Sequence, residues 1–143
     1  MTSRILVPVD LAHEESWRRV LPEALGEARL RDAELHLVAV VPDFGSVLVA
    51  DHFPQGFEQD VIEKAHTTLR EMKEQSVPSN VRCEAHVAHG HAAEQILAWA
   101  DKLEVDLIIL ASHRPDALRT LFVGSIADKI VHNARQSVLV VRG

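Results

Sequence analysis

DLIILASHRPDALRTLFVGSIADKIVHNARQSVLVVR, residues 106–142, decides the fold. Its first six residues, DLIILA, are apolar on both alternating faces, the mark of a strand covered on each side. A loop follows, then Gly124-Ser125 opens a helical pattern to Ala134, with Ile126, Ile130, Val131 and Ala134 expected inward. The stretch closes on SVLVV, Ser137 to Val141, a second apolar strand. Strand, helix, strand in that order implies a parallel crossover.

The same alternation extends back to the start of the chain. Ile5–Val9, Glu34–Val41 (ELHLVAVV) and Val81–Ala88 read as three earlier strands. Helical spacing joins Trp17, Val20, Leu21, Ala24, Leu25 and Ala28, then Phe57, Val61, Ala65, Leu69 and Met72, then Ala93, Ile96, Leu97, Ala100 and Leu103. Pro8 has no N–H for a ladder and is expected at the end of its strand; Pro22 is expected to disturb its helix. Residues 42–56, with two prolines and two glycines, form the least regular stretch, and SVPSN at 76–80 is a turn. The expected architecture is an α/β, Rossmann-like single domain over residues 1–143, a five-stranded parallel sheet with helices on both faces. Ligands in such sheets sit beyond the carboxyl ends of the strands, where the strand order reverses. Here those ends are Pro8–Asp10, Val40–Asp43, His89–His91 and Ala111–Arg114.

Composition narrows the function. The chain has 143 residues, 47% of them hydrophobic and 25% charged, which suits one folded domain. Its net charge of −6 and scattered basic residues argue against nucleic-acid binding, which needs lysines and arginines against phosphates. A single cysteine, Cys83, allows neither an intrachain disulfide nor a cysteine-based zinc site. The opening MTSRILVPVD does not read as a secretory leader, and no apolar run reaches membrane-spanning length. The expected location is cytoplasmic.

Gly124 and Ser125 are the first chemical signal. A glycine admits another group close to the backbone, and a serine at a helix start, with the free N–H groups of the first turn, can hold an anion. Without a ligand the same pair is a plain helix cap. His86, His89 and His91 form HxxHxH, but strand alternation sends His86 and His89 to opposite faces, so no dedicated metal site is expected. No GxxxxGK[ST] supplies a phosphate-binding lysine. A phospho-receiver domain is excluded because the third strand ends in His-Gly-His without the acceptor aspartate.

ILVPVD at the start, the Gly90 turn before a helix, and GS…VLVVR at the end make the chain resemble the universal stress proteins along nearly its whole length. The nucleotide pattern of that family is G-x2-G-x9-G-[ST]. Here its positions are Ala111, Arg114, Gly124 and Ser125, with the nine-residue gap kept and both upstream glycines replaced. ASHRPD followed by a later GS looks like the F/G-type subgroup, whose members are expected to bind adenine nucleotides with this altered loop. Arg114 can replace lost backbone contacts with charge-assisted bonds to phosphate oxygens.

By position, the resemblance implies nucleotide contacts from Pro8, Val9 and Asp10, with Asp10 accepting from ribose hydroxyls. Val40 would meet the adenine ring through its backbone. Ala111, Ser112, His113, Arg114, Gly124, Ser125 and Ile126 would surround the phosphates. The implied ligand is ATP or ADP, with Mg2+ travelling alongside. The implied function is a stress-response regulator with little or no turnover; a slow ATP hydrolase and a nucleotide-free interaction module are the alternatives. The family habit, together with the apolar terminal strand, implies a homodimer through Ser137–Val141.

Overall fold

A computed structural model describes residues 3–42, 56–112 and 124–142. Among the described residues five strands, β1 (Arg4–Val9), β2 (Glu34–Val41), β3 (Cys83–His89), β4 (Leu107–Ser112) and β5 (Ser137–Arg142), alternate with four helices. The helices are α1 (Glu14–Arg31), α2 (Phe57–Ser76), α3 (Ala92–Lys102) and α4 (Ser125–Asn133). All strand pairings are parallel, in the order β3-β2-β1-β4-β5. The order therefore reverses beside β1, between the β2–β3 wing and the β4–β5 wing.

Period-two alternation along each strand divides the core into two layers. Ile5, Val7 and Val9 of β1 pack with Leu35, Leu37 and Ala39 of β2 against Val20, Leu21, Ala24 and Ala28 of α1. Leu69 and Met72 of α2 complete that layer. Leu6, Val38, Ile108 and Leu110 point the other way, onto Ala93, Ile96 and Ala100 of α3 and Ala127 and Ile130 of α4. A fully buried side chain such as Ile130 contributes roughly 2–5 kcal/mol against truncation to alanine.

Five local expectations are corrected. Pro8 lies inside β1, opposite Val38, rather than at its end. The ladder it cannot serve is the one to β4, which pairs only Ile5 and Leu6. Val81 belongs to the turn before β3, its N–H donating to the Pro78 carbonyl at 3.0 Å. In α4 the inward residues are Ala127 and Ile130, whereas Ile126 and Val131 are each 47% exposed. Leu103 caps α3 instead of belonging to it. Helix α1 runs unbroken across Pro22, which sits on its exposed side, where the Arg18 carbonyl left without a donor can bond water. Residues 43–55, most of the irregular stretch, lie outside the described residues.

Candidate functional site

The carboxyl ends of β1, β2 and β4 meet the first turn of α4 around a cavity of about 410 Å³, within the usual range for small-molecule pockets. The registered pairing of β1 with β4 ends at Leu6 and Ile108, short of this point. The walls are largely apolar: Val38 and Val40 from β2, Leu110 from β4, Ile96 from α3, and Ala127 and Ile130 from α4. Pro42 and Ala92 complete the rim.

Of the residues expected to bind a ligand, Pro8, Val9, Asp10, Val40, Ala111, Gly124, Ser125 and Ile126 line this one cavity. Ser112 ends β4 opposite Arg142, is buried, and does not line it. His113 and Arg114 lie outside the described residues.

Asp10, Gly124 and Ser125 bring polar groups to the lining of this apolar cleft. Asp10 follows β1; its Oδ1 accepts from the Ala12 N–H at 3.0 Å and its Oδ2 meets His13 Nδ1 at 2.7 Å. These bonds fix the β1–α1 turn. The N-cap of α1 is His13, so Asp10 does not cap that helix. Gly124, and not Ser125, takes the N-cap position of α4; Ser125 is the first helical residue. As a glycine, Gly124 brings no side-chain cap to the first-turn N–H groups. The helical ladder begins at Asp128, whose N–H donates to the Gly124 carbonyl at 2.8 Å. The N–H groups ahead of that bond have no acceptor within the helix, and together with the positive end of the helix dipole they favour an anion at this edge of the cavity.

Gly90 sits behind the site at a φ of 132°, a conformation that disfavours any side chain, and its N–H bonds the Val41 carbonyl at 3.0 Å. The turn brings α3 back over the ends of β2 and β3. The histidines of HxxHxH separate there: His91 takes the N-cap position of α3, His89 pairs with Glu58, and His86 stacks on His36. His36 carried no signal in a linear reading, since its partner lies 50 residues away.

The universal stress protein family model matches residues 1–142. A curated relative, universal stress protein G of Salmonella typhimurium, is 28% identical over 99% of this chain and 100% of its own length. The solved structure of a universal stress protein from Archaeoglobus fulgidus superposes with a TM-score of 0.73 at 24% identity, covering 98% of this chain and 93% of that one. A universal stress protein solved in complex with cAMP gives 0.69 at 19% identity, covering 99% and 97%. An Archaeoglobus fulgidus complex with dAMP gives 0.65 at 21% identity, covering 96% of each chain.

Proposed function

The chain belongs to the universal stress protein family, and from that premise we propose that it is a regulatory protein that binds ATP or ADP in the cavity between β1, β2 and β4. The observation that carries the reading is the division of that cavity into an apolar cleft and an uncapped helix end. A purine ring suits the wall of Val38, Val40, Ile96 and Leu110, and phosphates suit the first-turn N–H groups of α4. Relatives of the same fold solved with cAMP and with dAMP support an adenine nucleotide as the occupant.

In this reading Pro8 and Val9 flank the nucleoside, Asp10 accepts from the ribose hydroxyls, and Gly124, Ser125 and Ile126 receive the phosphates. Ala111 lines the same cavity, and the family resemblance assigns Ser112, His113 and Arg114 to the phosphates as well, with Arg114 as their cation. When bound, Mg2+ screens the phosphate charge. The proposed setting is cytoplasmic. No helix among the described residues is long and apolar enough to cross a membrane.

The terminal strand extends the proposal to assembly. β5 occupies one edge of the sheet and exposes Leu139 by 36%, so its outer backbone groups are free to pair with a second copy.

The test is direct. Protein purified without added nucleotide is denatured and its supernatant resolved by chromatography, and the emptied protein is titrated calorimetrically with ATP and ADP. Co-purified adenine nucleotide, or binding with a Kd in the micromolar range or tighter, is the expected result. Empty protein that gives no heat with either nucleotide would overturn the reading in favour of a ligand-free interaction module.

A further inference from the structure

A second constellation lies on the same sheet, built from residues that do not line the cavity. His36 of β2 meets Glu84 and His86 of β3, a group of metal-ligating side chains drawn from two strands. The parallel register sets His36 opposite Glu84 and Val38 opposite His86. All three therefore project from one face of the sheet, in the amino-terminal halves of their strands. His86 is sandwiched there between the His36 ring, 5.2 Å away by centroid, and Trp99 of α3, 4.8 Å away.

The facing atoms converge. His36 Nδ1, His86 Nε2 and Glu84 Oε2 form a triangle with sides of 3.0, 3.6 and 3.8 Å. Donors bound to one zinc ion at its usual 2.0–2.2 Å lie roughly 3.2–3.6 Å apart. The point equidistant from these three atoms is about 2.0 Å from each. The other nitrogen of His36 supplies an independent observation. His36 is 3% exposed, and its Nε2 is buried without a hydrogen bond. That nitrogen faces Glu34 Oε2 at 3.4 Å. A histidine that ligates through one nitrogen commonly directs the other N–H to a carboxylate, which fixes its tautomer.

We propose that His36, Glu84 and His86 form a zinc-binding site at the amino ends of β2 and β3. Two imidazoles and one carboxylate suit a borderline divalent ion and not the all-oxygen preference of magnesium or calcium. His36 ligates through Nδ1 and carries its proton on Nε2 toward Glu34, while His86 ligates through Nε2. The Glu84 side chain is 70% exposed, so one coordination position opens to water.

Zinc titration of the full chain, followed by equilibrium dialysis, tests the site without reference to nucleotide. Wild-type protein is expected to hold one ion that the Glu84→Gln variant binds at least thirtyfold more weakly. Because Glu84 is exposed, that substitution is expected to leave the zinc-free melting temperature unchanged. Glu34→Gln is expected to weaken binding about tenfold. Cobalt in place of zinc should give visible d–d absorption in the wild type and lose it in Glu84→Gln. A His89→Gln/His91→Gln double variant should keep full affinity. Equal zinc affinity in wild type and Glu84→Gln, or loss of binding in the His89/His91 variant, overturns the proposal.

Discussion

The Asp106 carboxylate accepts a hydrogen bond from the backbone N–H of Arg4 at 3.0 Å, clasping the amino ends of β1 and β4 together across 102 residues of chain. The Ser3 hydroxyl donates to the same oxygen at 2.8 Å. The Arg4 N–H first and the Ser3 hydroxyl second hold the Asp106 carboxyl below the usual carboxylate range. A depressed folded-state value means the stabilisation is present above the unfolded pKa of about 3.9 and lost as pH falls through the folded value. Asp106→Ala should therefore cost on the order of 1 kcal/mol at pH 7, a modest figure because the carboxylate is solvent-exposed. Urea melts at pH 7 and pH 3 check this, and the gap between variant and wild type should shrink at the lower pH. A gap of the same size at both would remove the ionised carboxylate from the explanation.

Cys83 faces the α1–α2 side of the sheet among partly buried apolar residues. Burial first, with Glu84 adding to it and Lys73 opposing, pushes its thiol up to about 11. The reactive species is the thiolate, so iodoacetamide at pH 8 should label the folded protein at least tenfold more slowly than the urea-unfolded chain. The raised value carries a second consequence. Stability from the neutral thiol is complete below about pH 8.5 and declines as pH rises toward 11. Rapid labelling of folded protein would contradict the assignment.

For the cavity, Asp10→Ala should weaken ATP binding about tenfold, the equivalent of one hydrogen-bonding interaction. Val40→Trp should fill the cleft and weaken binding further, with the circular dichroism spectrum unchanged. Steady-state phosphate release with magnesium separates binder from enzyme. The expected rate is no more than trace. Turnover that disappears in both Asp10→Ala and Ser125→Ala would instead make the protein a hydrolase.

The β5 edge predicts an isologous dimer at tens of micromolar. Leu139→Lys places a charge on that edge and should weaken self-association at least tenfold in sedimentation velocity. A wild-type protein that remains monomeric at that concentration would count against the interface.

The order of strands and helices was legible because the deciding segments are unambiguous. ILVPV and LIILA are apolar on both faces, and only a central position in a parallel sheet buries both. Boundaries were legible where turn chemistry was strong and shifted where it was not. Val81 has strand character as a residue, yet its N–H serves the turn at Pro78. Ile126 and Val131 have the hydrophobicity of core residues, but the close approach of α4 to the sheet is made by the small Ala127 with Ile130. Pro8, Val9, Asp10, Val40 and Ala111 came together because strand ends at a reversal in strand order must be neighbours, and Gly124, Ser125 and Ile126 joined them from the start of α4. The His36–His86 contact was not legible. It depends on the exact β2–β3 register, and a shift of one residue would turn one of the rings to the opposite face.

The two-residue stitch between β1 and β4 also sets how the molecule can yield. The β3-β2-β1 wing and the β4-β5 wing are each laced by longer ladders, so they act as two stiff plates joined along one weak seam. That seam runs out into the mouth of the cleft. Helix α1 bridges the seam from one side, its Val20, Leu21, Ala24 and Ala28 sharing one layer with Ile5 and Val7 of the first plate and Leu107 and Ile109 of the second.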